Sequence, residues 1–282
     1  MSAASQIGHQ LRPQIWPQIW LIGGTSESAE LAIALTQQAI PYIVTVTTEA
    51  AIELYPPDAQ IQVGKLTPKT MTTFVVQQQI AGILDASHPF ACEVSRQAIA
   101  LAQPPHQSHI PYLRYERPTV SGDRAVTTVR SIDELLASDL LHHQRVLFTV
   151  GCRDLYRFSA LRQTSQLFAR ILPSADAIAQ ATSAGFPAQN IIALRPPVSA
   201  ALEKALWQQW KITRVVAKAS GHASGEAIKR QVASELNAEI NGELDPRLIL
   251  IARPPISYPQ QTNAMSAAIQ FCRQCLSSSI SS

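Results

Sequence analysis

Four short stretches concentrate the residues that could do chemistry in this 282-residue chain, and each directly follows an apolar run that reads as a strand. In Gly23-Gly24-Thr25-Ser26-Glu27-Ser28, two glycines permit a tight strand-to-helix turn and close approach of a ligand to the backbone. The hydroxyls of Thr25 and Ser26 then lie beside the unpaired N–H groups of a helix start, an arrangement that favours phosphate. The later glycines of G-x-G-x-x-G are missing, and a plain turn accounts for the same residues, with Thr25 or Ser26 as N-cap and Glu27 facing the helix dipole. In Asp85-Ala86-Ser87-His88-Pro89-Phe90, His88 could donate a hydrogen bond or a proton near neutral pH, while Asp85 fixes the loop. A lone histidine is more often structural than catalytic.

Thr45-Val46-Thr47-Thr48 closes the second strand, where an NAD-specific fold places an acid on the ribose diol. Thr47 and Thr48 stand there instead. A neutral, hydroxyl-rich strand end tolerates a 2′-phosphate and leans towards NADP, although no arginine stands beside it and threonine favours strands in any case. Lys218-Ala219-Ser220-Gly221-His222-Ala223-Ser224-Gly225 is the fourth cluster, a further anion-binding candidate or a simple turn. Thr149-Val150-Gly151-Cys152-Arg153-Asp154 has the same form, but Cys152 has no base at its side to make it a nucleophile. Arg114 and Arg117 add two guanidiniums suited to bidentate carboxylate recognition, though Arg117 could equally pair with Glu116.

Alternating elements must carry these loops. Strands are expected over 19–22, 42–47, 61–63, 82–86 and 110–114, with helices over Ser26 to Gln38, Pro68 to Gln79 and Phe90 to Ala102. The rhythm repeats with strands over 145–150, 166–172, 190–194, 214–218 and 248–252, and with helices such as Ser199 to Trp210 and Gly225 to Leu236. Strands spaced by helices imply parallel sheets covered on both faces. The predicted fold is therefore α/β, with two Rossmann-like domains and the active site in the cleft between them. The expected boundaries are a loose tail over 1–18, a first domain over 19–118 and a second over 119–282, the last with a C-terminal helix and a tail frayed after Leu276.

Composition narrows the classes. The chain is 46% hydrophobic and 15% charged, enough to fill two cores. Its net charge of +3 includes no basic stripe for nucleic acid. The apolar runs are too short for a membrane span, and the first residues lack a secretory signal, so a cytoplasmic protein is expected. Cys92, Cys152, Cys272 and Cys275 do not form a disulfide framework, and the single C-x-x-C lacks a second pair to complete a zinc site. Serine-hydrolase, zinc-protease and P-loop motifs are absent. No tyrosine has a lysine four residues on, which disfavours a short-chain dehydrogenase.

Taken in order, these stretches resemble the precorrin-6A and cobalt-precorrin-6A reductases of cobalamin biosynthesis. Gly23-Gly24-Thr25-Ser26-Glu27 resembles their nucleotide loop, and Asp85-Ala86-Ser87-His88-Pro89-Phe90-Ala91 their D-A-T-H-P-[FY]-A signature, with Ser for Thr. Ile110 to Pro118 is similar to P-x-x-R-x-x-R-P, Lys218-Ala219-Ser220-Gly221 to K-x-S-G, and Arg253-Pro254 to the closing R-P. The resemblance implies an NADPH-dependent reductase acting on the C18=C19 double bond of an anionic tetrapyrrole, with no metal required of the protein. It implies cofactor contacts from Gly23, Gly24, Thr25, Ser26, Glu27, Thr47, Thr48, Ser87, His88 and Pro89. Substrate carboxylates would fall to Arg114, Arg117, Lys218, Ser220, Gly221 and Arg253, and His88 is the candidate at the reacting centre. Contacts with neighbouring pathway enzymes are a further expectation. The chain departs from the pattern at Leu194-Arg195-Pro196-Pro197-Val198-Ser199, where the family has Q-G-P-F-S. A non-catalytic dinucleotide- or tetrapyrrole-binding protein on the same fold is the alternative reading.

Overall fold

In the computed structural model, Gln18–Ile22 forms the first strand, β1, with all five residues buried. A strand inaccessible on both faces must be covered on both, and its side chains alternate between two cores. Ile19 and Leu21 join one cluster, Trp20 and Ile22 the other. The described residues are 16–103, 110–118, 126–221, 225–238 and 247–280. They divide into two units, Met1–Glu116 with Ser257–Ser282, and Arg117–Ile256.

In the first unit β1 is followed by α1 (Ser26–Gln37), β2 (Tyr42–Val46), β3 (Gln60–Val63), α2 (Pro68–Gln77), β4 (Ile80–Asp85), α3 (Cys92–Ala102) and β5 (Tyr112–Tyr115). All pairings are parallel, in the order β3-β2-β1-β4-β5, and a short sixth strand at Gln261–Thr262 extends the β5 edge. One face packs on α1 through Leu31, Ala32 and Leu35, and on a C-terminal helix, Met265–Ile280, through Ala268, Ile269, Phe271, Cys272 and Cys275. The other packs on α2 through Met71, Phe74 and Val75, and on α3 through Ala98, Leu101 and Ala102.

This arrangement corrects two expectations. The C-terminal helix belongs to the first unit rather than the second half, because its apolar face fills the side of the first sheet that α1 leaves uncovered. The helix also runs on to Ile280, past the expected fraying at Leu276. Ser277, Ser278 and Ser279 each donate a hydroxyl to the carbonyl four residues back, so these serines bond within the helix.

The second unit holds β6 (Val126–Val129), α4 (Ile132–Leu136), β7 (Arg145–Thr149), β8 (Gln166–Ile171), α5 (Ala175–Ser183), β9 (Ile191–Ala193), α6 (Ala200–Gln209), β10 (Arg214–Lys218), α7 (Glu226–Ala238) and β11 (Leu248–Ile251). Its sheet is also wholly parallel, in the order β6-β11-β10-β7-β8-β9. The strand at Gln261–Thr262 and the terminal helix are β12 and α8 in chain order. Both sheets thus share one plan, with the outermost strand supplied out of sequence. β12, formed after the chain has left the second unit, closes the first sheet, and β6, formed on entry, closes the second. The sequence reading missed both, since β12 has two residues and β6 (VTTV) has only two apolar residues, at its ends.

Candidate active site

Strand order reverses between β1 and β4, the switch point at whose carboxyl end open α/β sheets collect ligands. Both first-unit clusters lie there. Gly23-Gly24 follows β1, the His88 loop follows β4, and Thr25 Oγ1 donates to Ala86 O at 2.9 Å, tying one loop to the other. Thr25 also caps α1 by accepting from Ser28 N at 3.1 Å, while Ser28 Oγ accepts from Thr25 N at 3.0 Å. This reciprocal capping box uses both side chains within the protein. For Thr25 the plain-turn reading is the right one, and its hydroxyl is not a ligand donor. Gly24 and Ser26 are exposed, Glu27 is partly so, and Thr47 and Thr48 lie exposed beyond β2.

The β4 loop is built around one carboxylate. Asp85, fully buried, accepts from Ser87 N (3.0 Å), Ser95 Oγ (2.6 Å), Tyr112 Oη (2.6 Å) and Arg114 Nη1 (2.9 Å). Arg114 donates onward to Ser87 Oγ at 3.1 Å and to Glu116 at 2.8 Å, and lies 5.3 Å from the centre of the Tyr258 ring. Burial works against the Arg114 charge, but Asp85 and Glu116 outweigh it and raise its pKa. Burial and the neighbouring Asp85 likewise raise Tyr112, which stays a neutral donor. These contacts give two of the expected ligand residues partners within the protein. Arg114, 1% exposed, is ion-paired to Asp85 and Glu116 within the loop. Ser87, also buried, accepts from that arginine. Tyr112, Ser95 and Tyr258 were not singled out from the sequence, and Glu116, which the sequence offered as a partner for Arg117, pairs with Arg114, two residues away.

His88 stands half-exposed on this scaffold, with Pro89 buried behind it. Its Nδ1 accepts from Phe90 N at 3.2 Å, so the neutral ring carries its proton on Nε2.

In the second unit the corresponding switch point lies between β7 and β10. Lys218, ending β10, pairs with Asp154 in the loop after β7 at 2.8 Å, a tie equivalent in position to Thr25–Ala86. The arginines gather on the same loop. Arg117 Nη1 donates to Ser220 O, Arg253 Nε to Ala219 O and Arg253 Nη1 to Arg117 O, each at 2.8 Å. Gly221 N donates to Glu226 at 2.8 Å, and Glu226 in turn accepts from Arg230. Arg117, Lys218, Ser220, Gly221 and Arg253 therefore converge at one strand end. His222 and Ser224 lie outside the described residues. Behind the loop, Arg170 on β8 pairs with buried Glu203 on α6, close to Lys229 on α7. Burial lowers the Lys229 pKa to about 8, with Arg170 adding to the shift and Glu203 and Glu226 opposing it. The altered 194–199 segment follows β9, the edge strand farthest along the sheet from this loop on the β8 side.

Among the described residues no helix is long and apolar enough to cross a membrane, and no group of histidine, cysteine, aspartate and glutamate could hold a metal. Cys272 and Cys275 are buried in the first core, and burial pushes their thiols up to about 12 and about 11, so they pack rather than react.

Two parallel, doubly wound sheets with polar loops at both switch points define a two-domain α/β protein of the dinucleotide-binding class. Residues 18–273 match the family described as Precorrin-6x reductase CbiJ/CobK, and the chain belongs to that family of reductases. It is 44% identical over 265 residues to the cobalt-precorrin-6A reductase of Synechocystis sp., covering 92% of this chain and 97% of that protein. It is 35% identical over 208 residues to the cobalt-precorrin-6A reductase of Priestia megaterium, covering 72% and 80%. A solved structure titled CobK precorrin-6A reductase shares the fold, with a TM-score of 0.74 at 20% identity over 92% of this chain and 97% of that one.

Proposed function

We propose that the chain reduces the C18=C19 bond of cobalt-precorrin-6A or precorrin-6A, with NADPH at the β1/β4 switch point. The observation that carries the reading is the tie between the glycine turn and the His88 loop, which sets a phosphate-favouring helix start beside a half-exposed imidazole. The turn fits a dinucleotide phosphate. Gly24 has φ +94°, and a Cβ there would meet nothing within 4 Å, so the backbone is open to a ligand. Gly23, Gly24, Ser26 and Glu27 would line the diphosphate, and Thr47 and Thr48 the adenosine ribose, where the absence of an acid suits a 2′-phosphate. Bound there, NADPH supplies the two electrons and one hydrogen of the reduction.

The chain's own residues position and polarise. His88 presents its Nε2 proton from a loop held by Asp85, close to where a nicotinamide bound in this orientation would lie. Arg117, Lys218 and Arg253 bring three cationic side chains to one loop, matching a macrocycle rich in acetate and propionate carboxylates. Arg117 and Arg253 are oriented by bonds to main-chain carbonyls. Rate enhancement then comes from holding two reactants in contact rather than from a covalent intermediate. Within its own sheet the altered 194–199 segment lies beyond the edge strand β9, two strands from the β7/β10 switch point, so nothing in that position argues for a protein that has lost turnover.

The test is anaerobic oxidation of NADPH by the purified protein with precorrin-6A and, separately, its cobalt form, following the macrocycle spectrum. Oxidation coupled to a two-electron spectral change is expected with one of them, and the preferred form names the substrate. NADPH binding without turnover of either would refute the reductase reading.

A further inference from the structure

Tyr55 reaches the glycine turn from outside the stretches that the turn's chemistry singles out. A 3-10 turn over Glu49–Leu54 follows β2 and carries Tyr55 back to the end of β1, where the side chain is 7% exposed and packs in the first core. Its hydroxyl accepts from Gly24 N at 2.6 Å and lies 2.6 Å from Ser28 Oγ. The protons can be assigned. Ser28 donates its own to Thr25 O at 2.6 Å, so Ser28 Oγ accepts from Thr25 N and from Tyr55. The phenol therefore closes a chain from Gly24 N–H through Tyr55 and Ser28 to the Thr25 carbonyl, and every proton in it has an acceptor. Gly23 is part of the same construction. A Cβ at that position would lie 2.2 Å from Tyr55 Oη and 2.8 Å from Val44 Cγ1, so the phenol fits only because residue 23 has no side chain.

We infer that Tyr55 is a positioning residue for dinucleotide binding: its hydroxyl holds the Gly23-Gly24 turn in the shape that presents the start of α1 to the diphosphate. The inference rests on the proposed placement of NADPH at this turn. Gly24 sits at φ +94°, a conformation with many competitors in a flexible glycine pair, and the bond from its N–H to the buried Tyr55 side chain selects it. The turn lacks the further glycines that shape longer nucleotide loops, and the tyrosine supplies from a distant position the rigidity that local sequence does not. A ring packed in the core cannot swing aside at low cost, so the hydroxyl acts as a brace and not as a gate that the cofactor displaces.

The experiment compares Tyr55→Phe with the unaltered protein by NADPH titration and by steady-state kinetics with the tetrapyrrole. Loss of one such bond is expected to raise the NADPH Kd and KM by about three- to tenfold, with kcat and the tetrapyrrole KM unchanged. A general loss of stability would lower the melting temperature without this split between the two substrates. Ser28→Ala, which removes the acceptor of the Tyr55 proton, should shift NADPH affinity in the same direction and serves if the phenylalanine variant folds poorly. An unchanged NADPH Kd in both variants would overturn the inference, as would tighter binding, which would mean that the hydroxyl competes with the cofactor. Failure of the unaltered protein to bind NADPH would instead sink the placement of the cofactor, and the inference with it.

Discussion

Replacing Asp85 tests whether the β4 loop is held by charge or by shape. Asp85→Asn keeps an oxygen able to accept from Ser87 N but removes the charge facing Arg114. The guanidinium is then left buried at 1% exposure with only Glu116 opposite, a carboxylate whose side chain is 22% exposed. Removing one partner of a buried ion pair costs about 3–5 kcal/mol. The surviving Glu116 contact places the expected loss near the lower end, roughly 3 kcal/mol, or a fall in melting temperature of about 6–12 °C for a chain of this size. Turnover should fall by less than about tenfold, because the backbone anchor beside His88 survives. Asp85→Ala removes that anchor as well, and a displaced catalytic group can cost about a hundredfold in kcat.

The decisive measurement is a double-mutant cycle, by calorimetry, on Asp85→Asn, Arg114→Met and the pair together. If the two charges stabilise each other, the double variant should be more stable than the sum of the single losses predicts, by about 2 kcal/mol. Additivity within about 0.5 kcal/mol would refute the argument and leave Asp85 as a hydrogen-bond acceptor whose charge is immaterial.

Two further outcomes probe packing and linkage. A Cβ at Gly82 would meet Cys275 Sγ at 2.6 Å, so Gly82→Ala should destabilise the first unit by about 1–3 kcal/mol, and adding Cys275→Ala should recover most of it. No recovery in thermal melts would mean that α8 does not seat on β4 as described. Lys229 has a folded pKa of about 8, below its ordinary 10.5, so between those values the unfolded chain binds the additional proton and stability rises with pH. The native protein should therefore gain roughly 2–3 kcal/mol relative to Lys229→Met on going from pH 7.5 to 10, and a constant gap in chemical denaturation would show that the amine is not desolvated.

What could be read from the sequence divides by range. Strands such as Ile19–Ile22 and Leu248–Ile251 announce themselves as apolar runs, and the parallel architecture follows from their alternation with helices. The polar loops could be found because they directly follow those runs, which is why Gly24, His88, Lys218 and Gly221 all fall at switch points. The partners of these loops were not legible, since each comes from a separate segment. Tyr55 lies 31 residues from Gly24, Arg114 lies 29 from Asp85, and Asp154 lies 64 from Lys218. An arginine beside a proline-rich junction looks the same in one dimension whether its partner is a carboxylate or a main-chain carbonyl, and both Arg114 and Arg117 are buried, so the partners separate them: Asp85 and Glu116 for the first, Ser220 O for the second. The terminal helix misled for a related reason. Its apolar face specifies that it must cover a sheet, but carries no information on which of two similar sheets it covers.

That similarity bears on how the molecule divides its work. Each sheet reverses strand order at one point, and in each a side chain bridges the two loops there, Thr25 to a carbonyl in the first unit and Lys218 to a carboxylate in the second. The first tie is neutral and buried and leaves a turn fit for phosphate between helix start and imidazole. The second is ionic and partly exposed and lies among Arg117 and Arg253, so it contributes charge where the first contributes shape. In the proposed function, one plan used twice with these two chemistries separates recognition of the dinucleotide from recognition of a polycarboxylate. Changes to the Arg117 loop should accordingly move tetrapyrrole affinity while NADPH affinity stays near normal, and equal losses of both after Arg117→Ala would refute the division.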